Sequence, residues 1–318
     1  MIEVIKPGLS TTLQDLGRPG WQSQGVSVGG AADPLALRVA NMIAGNQEDA
    51  VGLECALVGP VLRFHAPTWL AMAGACAVGQ PSLRRFLIAA GTDLSLEQIS
   101  LGARLYLAVA GGVQAPLVLG SASTSISSGW PGLTGRTLRA GDRLQTATPR
   151  LKFPTRPTQW SASFRFLPPP GNSRTLRVLR GPQDDWFSET VWRAFLGEFY
   201  GVSGRSDRMG VRLQGSPLLL AEPRELISEG VAFGSVQVPP DGQPIVLLAE
   251  RQTLGGYPKI ANVITADRSI VAQLRPGDRV RFELTSPQAA LELLHRQERA
   301  LTTLRAGLVA IDRDHVTH

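Results

Sequence analysis

The segment Ile245-Val246-Leu247-Leu248-Ala249 is apolar throughout, and Glu250, Arg251 and Gln252 stand directly behind it. Tyr257 and Lys259 follow the Gly255-Gly256 pair, and Gln237 lies just before Pro239-Pro240-Asp241-Gly242. A packed β-domain has little structural use for so many polar groups beside its core, because each one buried without a partner costs about 1–3 kcal/mol. Two arrangements satisfy them: a hydrogen-bonded network at the end of a barrel, or one pocket facing a ligand. The pocket is the reading taken forward. Lysine occurs only as Lys6, Lys152 and Lys259, in a chain that otherwise uses arginine. A compact, rotatable ammonium at Lys259 is not equivalent to a guanidinium in a close-contact site. Asp241 reads as a structural turn residue.

Two further clusters carry the residue types of anion recognition. Thr11-Thr12-Leu13-Gln14-Asp15-Leu16-Gly17-Arg18 offers Gln14, Asp15 and Arg18. It is either a turn held by an Asp15–Arg18 contact or a loop presenting amide and guanidinium donors to an anionic ligand. Gly29-Gly30-Ala31-Ala32-Asp33 then opens a helix, whose first N–H groups either bind an anion or are simply capped. In Ser206-Asp207-Arg208-Met209-Gly210, flanked by Arg205 and Arg212, the arginines form an exposed ion-pair network of small energetic value. Alternatively, Arg208 turns inward to clamp a carboxylate or phosphate bidentately. His65, His295, His315 and His318 lack metal-ligand spacing and no Cys/His cluster exists, so no metal site is expected. A phosphate-binding Gly-x-x-x-x-Gly-Lys loop is absent, as is a dinucleotide fingerprint.

The elements that must position these residues are mostly strands. Val61–His65 alternates, with Leu62 and Phe64 on one face, and Arg279–Leu284 does the same. Leu105–Ala110 and Ile245–Ala249 are continuous apolar runs, as in strands buried on both faces. Gly and Pro punctuate the remainder at short intervals, which favours barrels or sandwiches over βαβ units. Three helices are expected. The first is capped by Asp33, has Pro34 at its first position and ends at Gly45-Asn46. The second follows Gly181-Pro182, with Asp184 and Asp185 near its start. The third begins at Ser286-Pro287, and its polar tail after Ala306 is expected to fray.

Leu105–Leu144 and Ile245–Val280 both run strand, Gly-Gly, polar stretch, and then Arg-x-Gly-Asp-Arg before an apolar residue. This points to a duplicated β-domain. The expected organisation is a first β-domain over 1–150, a Pro-rich linker over 151–173, a second β-domain over 174–285, and a C-terminal helix and tail over 286–318.

The formal net charge is +6, but the arginines are scattered and no basic tract interleaves with aromatics, which excludes a nucleic-acid surface. No apolar run is long enough for a transmembrane helix, and Met1–Gly8 reads as a strand rather than a signal peptide. Cys55 and Cys76 read as reduced thiols of a cytoplasmic protein.

Thr11–Arg18, Gly29–Asp33, Ser206–Gly210, Ser228-Glu229-Gly230, Gln237–Pro244 and Gly255-Gly256-Tyr257-Pro258-Lys259-Ile260 together resemble the biotin-dependent carboxyltransferase family. This family is also called allophanate hydrolase subunit 2 or KipA-like, and it includes the C subunit of 5-oxoprolinase. The resemblance covers nearly the whole chain. Ala32 stands where a Met is usual, Asp207 where an Asn is common, and Glu250 where an Asp is common. The resemblance implies a mainly β fold of two cyclophilin-like β-barrel domains with a few short helices. It implies a hetero-oligomeric, ATP-dependent 5-oxoprolinase in which this chain acts with a KipI-like B subunit and a LamB/YcsF-type A subunit. The alternatives are the carboxyltransferase subunit of a biotin-dependent urea or amide carboxylase, or a KipA-like regulator that binds a KipI-like partner. No lysine lies in an Ala-Met-Lys-Met context, so biotin is not expected on this chain, nor is a fused biotin carboxylase segment. Under the hydrolase reading, Lys259 or Arg251 stabilises the carbonyl oxygen and Arg208 balances phosphate charge. Glu250 or Asp15 acts as base or orients water, and Gln14, Arg18, Gln237, Gln252 and Tyr257 contact substrate.

Overall fold

The computed structural model describes residues 1–149, 160–163, 173–220, 222 and 224–314. They divide into two compact units, Met1–Arg18 with Gly29–Pro169 and Gln297–His318, and Pro19–Val28 with Pro170–Arg296. Most of the Pro-rich 151–173 stretch lies outside the described residues. Its described part, residues 160–163, is docked on the first unit: Ala162 N donates to Leu83 O at 2.7 Å, and Trp160 packs against buried apolar residues there. Ser173 is already in a strand.

The first unit carries β1 (Ile2–Lys6), β2 (Ser10–Gln14), α1 (Pro34–Ala44), β3 (Gly52–Ala56), β4 (Val61–Phe64) and β5 (Thr68–Ala77). β6 (Arg85–Ile88), β7 (Asp93–Ser95), β8 (Ile99–Val109) and β9 (Arg143–Leu144) complete it. Antiparallel pairing builds one sheet in the order β7-β4-β1-β9 and another in the order β2-β3-β8-β5-β6. The two share a core. Strand alternation sends Leu70 and Met72 of β5 and Leu105, Leu107 and Val109 of β8 into it. The opposite face presents Ala71, Ala73 and Ala108, small side chains that allow α1 to lie close. α1 follows the sequence expectation, with Asp33 Oδ1 accepting from Ala36 N at 3.0 Å and Gly45 left-handed at the C-cap.

The second unit contains β10 (Ser173–Arg180), α2 (Glu189–Gly197), β11 (Tyr200–Val202), β12 (Gly210–Gln214), β13 (Glu229–Gly230) and β14 (Ser235–Gln237). It continues with β15 (Ile245–Leu247), β16 (Leu254–Gly255), β17 (Lys259–Val263), α3 (Arg268–Ala272) and β18 (Arg279–Leu284). Seven strands close a barrel in the order β10-β17-β14-β15-β12-β11-β18, and parallel pairing of β10 with β18 completes the ring. α2 starts later than expected. Asp184–Trp186 forms a short 3-10 turn, and Ser188 caps the α-helix through Val191 N. Trp192 and Phe195 of α2 then plug the barrel, with Phe195 stacked on Phe282 at 4.3 Å.

The repeated Arg-x-Gly-Asp segment forms the same turn in each unit. Asp142 N donates to Arg139 O and Arg139 N to Asp142 Oδ2, and Val4 is held on both sides by Asp142 O and Gly141 N. Asp278, Arg275, Val202 and Gly277 repeat each of these bonds. Gly141 and Gly277 have φ of 86° and 89°, which a residue with a Cβ adopts only under strain.

The expected fraying after Ala306 is corrected. α4 (Pro287–Asp314) stays helical to its end because its last turns have partners far away in sequence. Leu301 and Leu308 bury themselves beside α1. Arg38 forks onto Glu298 at 2.6 and 2.8 Å, and Arg305 pairs with Glu48. Arg85, fully buried, donates to Ile43 O at 2.8 Å and to both oxygens of Asp312 at 2.6 and 3.2 Å. Removing one member of a buried pair leaves the other charge uncompensated. Asp312→Asn is therefore expected to lower stability by about 3 kcal/mol, read as a shift in the urea midpoint; an unchanged midpoint would mean that the Ile43 carbonyl alone holds Arg85.

Candidate functional site

In the barrel, the pairing register sets which side chains share a face. Val211 of β12, Val246 of β15 and Val236 of β14 pair in one row and belong to the core. One step along, Arg212 pairs with Ile245, Ile245 with Gln237, and Gln237 with Lys259 of β17. Because side chains alternate, Arg212, Ile245 and Gln237 lie on the outer face, while a register irregularity between Val236 and Gln237 interrupts the alternation before Lys259. A cavity of about 550 Å³ sits over that face, lined by Arg212, Ile245, Gln237, Gln252 and Tyr257 and by the loops around Arg205 and Pro240.

Gln237 is nearly fully buried at the floor of this cavity. Gln252 Nε2 donates to Gln237 Oε1 at 3.3 Å, which ties the two amides into one unit. A Cβ on Gly255 would come within 2.5 Å of Gln237 Nε2 and 3.3 Å of Gln252 Nε2, so glycine is the residue that leaves room for the pair.

Lys259 is next in the row, 3% exposed. Its backbone N donates to Gln183 Oε1 at 3.0 Å, and its ammonium pairs with Glu229. Gln183 Nε2 also donates to Glu229 Oε1 at 2.7 Å. The Lys259 hydrogen bond, followed by that of Gln183, holds the Glu229 carboxyl below its ordinary range. Glu229 pairs with Gly255 across the β13–β16 ribbon, which sets the ion pair beside the two amides. Sequence reasoning left Glu229 out of the site, although it lay inside the Ser228-Glu229-Gly230 motif.

The other charged candidates are engaged elsewhere. Arg208 Nε meets Glu250 Oε1 at 3.0 Å, and Glu250 N bonds Arg208 O at 2.9 Å, so this acid and base close on each other. Arg251 donates to Val231 O and Leu248 O, both at 3.2 Å. Burial, with Arg268 nearby, pushes its guanidinium down to about 10. The three cations Lys259, Arg251 and Arg208 thus do not converge on one hollow. Gln237, Gln252 and Tyr257 do, and they are joined by Arg205, from the loop before β12, and by Arg212, whose outward register was not used in the sequence reading.

In the first unit, Asp15 is an internal acceptor. Its Oδ1 takes Gly17 N at 2.7 Å, Ser121 Oγ at 2.6 Å and Ser123 Oγ at 2.5 Å, and its Oδ2 takes Ala122 N at 2.7 Å. Arg18 is buried and donates to Ser123 O at 2.6 Å rather than to Asp15. Gln14 Nε2 bonds Thr12 Oγ1 and Thr124 O. These residues pin the Ser121–Thr124 segment. The N-terminus of α1 is likewise filled from within: Glu54 Oε2 accepts from Ala32 N at 2.9 Å and from Tyr106 Oη at 2.6 Å. The N–H of Ala32, just before the cap, is thus satisfied within the protein. Cys55 is buried, its thiol pushed up to about 12 by burial, while Cys76 is partly exposed; both are free.

The carboxyltransferase domain, subdomains A and B, matches residues 24–284, and the chain belongs to that family. It is 38% identical to the C subunit of 5-oxoprolinase from Haemophilus influenzae, over 96% of this chain and 98% of that one. With the C subunit of the Escherichia coli 5-oxoprolinase the identity is 39%, over 94% and 96% of the two chains. The crystal structure of the K. lactis urea amidolyase superposes with a TM-score of 0.88 at 29% identity, covering 95% of this chain but 20% of that one. No helix among the described residues is long and apolar enough to cross a membrane.

The Glu229 carboxyl is lowered from 4.5 in the folded state. Its pairing therefore supports the fold above that value and is lost as pH falls through the lowered one. In Lys259→Met the carboxyl should titrate closer to its ordinary value in carboxyl-detected NMR; an identical titration curve would show that Gln183 alone sets it.

Proposed function

We propose that this chain is the C subunit of an ATP-dependent 5-oxoprolinase, acting with a KipI-like B subunit and a LamB/YcsF-type A subunit to open 5-oxo-L-proline to L-glutamate in the cytoplasm. The observation that carries the proposal is the end-to-end match to two proteins named as the C subunit of 5-oxoprolinase, over 96% and 94% of this chain and 98% and 96% of theirs. The Lachancea kluyveri urea amidolyase is 31% identical, but the chain spans 18% of it. That kinship and the K. lactis superposition support the second reading, a carboxyltransferase that works on a urea or amide.

Both reactions raise negative charge on the oxygen of an amide-type carbonyl, and fixed donors at that oxygen supply a large share of the rate. Arg212 and Gln237, set on either side of Ile245 by strand pairing, place such donors on a rigid barrel wall, with Lys259 paired to Gln237 on the next strand. Gln237 and Gln252 present carboxamides, which pair naturally with a lactam edge. Lys259, the neighbour of Gln237 on β17, supplies a cation paired with Glu229. Glu250, Arg251 and Asp15 are saturated by protein partners and serve the frame. ATP enters as co-substrate of the complex, and no residue of this chain is assigned to it.

The test is reconstitution of the three proteins with ATP and 5-oxoproline, with glutamate as the readout. Removing one preorganised donor typically lowers turnover by about 100-fold. Lys259→Ala should do so while the three proteins still co-purify. Absence of glutamate from the wild-type complex, together with transfer of carboxyl from biotin to urea, would establish the second reading instead.

A further inference from the structure

We propose that the cavity on the outer wall of the barrel is built for a small amide that carries its own carboxylate, with Arg205 and Arg212 as the carboxylate clamp. This inference rests on the 5-oxoprolinase reading and assigns its substrate selectivity to two residues outside the family motifs.

Arg212 leaves β12 in register with Ile245 and, through it, with Gln237, so its position on the cavity wall is fixed by backbone pairing. Arg205 comes from the loop before β12, where Ser203 Oγ accepts from Arg205 N at 3.3 Å and Ser206 Oγ donates to Ser203 O at 2.8 Å. Both arginines line the same hollow, and neither guanidinium forms an ion pair among the described residues. This separates them from Arg208, which is held by Glu250. Two carboxylates also border the cavity. Asp207 Oδ1 accepts from Met209 N at 2.7 Å and Gly210 N at 3.1 Å, and Asp241 Oδ1 accepts from Gln243 N at 3.0 Å. Both carboxylates accept from loop N–H groups and so hold the loops that frame the hollow.

The same hollow carries the linked amides, with Gln237 one strand beyond Ile245 from Arg212. Gln252 directs its Nε2 to Gln237, which leaves its Oε1 to accept an N–H from a ligand. The cavity thus brings guanidinium donors and a carboxamide acceptor into one lining. A five-membered lactam with a carboxylate on its ring presents the complementary pair, an anion and a ring N–H. Urea presents N–H groups and no anion. Charge-assisted hydrogen bonds from guanidinium to carboxylate are stronger and more directional than neutral ones, so the clamp favours the acid over its neutral analogue.

The experiment compares the wild-type three-protein complex with one containing Arg205→Gln and Arg212→Gln together. Both side chains are exposed, so the variant is expected to fold, and its thermal melt verifies this. The KM for 5-oxoproline should rise by about 10–100-fold, the equivalent of losing one or two charge-assisted hydrogen bonds, with a much smaller fall in kcat. 2-Pyrrolidinone, the same ring without the carboxylate, should inhibit weakly and equally in both complexes. An unchanged KM in an active variant complex overturns the clamp and leaves the 5-oxoprolinase reading intact. If the wild-type complex makes no glutamate, that reading fails, and saturation-transfer NMR of 5-oxoproline on the same two complexes decides the clamp. Signal lost only in the variant supports it, and equal signals or none in both overturn it.

Discussion

The pleat of a β-strand sends successive side chains to opposite faces, and across β12, β15 and β14 that alternation is locked by the core. Val211, Val246 and Val236 must point inward, because a slip of one residue would place them in water and Arg212, Ile245 and Gln237 inside the barrel. The apolar row therefore fixes the polar row. Every side chain proposed to touch substrate either belongs to that outer row or stands on a loop that the barrel strands anchor.

Desolvation then decides which polar residues remain available. A charge taken out of water is tolerated when it is paired and hydrogen-bonded. Asp15 meets this condition with four donors, Glu54 with Tyr106 and the start of α1, Glu250 with Arg208, and Arg251 with two carbonyls. These groups hold loops and helix ends in place. Lys259 is intermediate: it is buried and paired, but with a Glu229 side chain that is 42% exposed, so its partner lies at the surface. Arg205 and Arg212, exposed and without an ion pair among the described residues, are the cations that the cavity lining offers to an anion.

Much of this was legible in the sequence because it depends on local pattern. The cap at Asp33, the apolar runs at Leu105–Ala110 and Ile245–Ala249, and the doubled Arg-x-Gly-Asp turn each need only a few neighbouring residues to specify them. Gln237, Gln252 and Tyr257 were also legible, since polar groups beside an apolar strand must be satisfied somewhere. What escaped was long-range. The final turns of α4 look polar in isolation and become a docking face only when Arg85 and the flank of α1 are beside them. Glu250 and Arg251 read as catalytic from residue type and position, and their partners, Arg208 and the carbonyls of Val231 and Leu248, are given only by the fold. Arg212 read as a flank of the exposed ion-pair cluster around Asp207, because its neighbour Gln237 comes from another part of the chain.

The central claim is that the paired charges form the frame and the outer row binds the substrate. A crystal structure of the assembled complex soaked with 5-oxoproline tests it most directly. The account predicts density over β12, β15 and β14, with the carboxylate at Arg205 and Arg212, the ring N–H at Gln252, and Arg208 still on Glu250. Density at Arg208, Glu250 or Asp15 with those pairs opened and the outer cavity empty would contradict it.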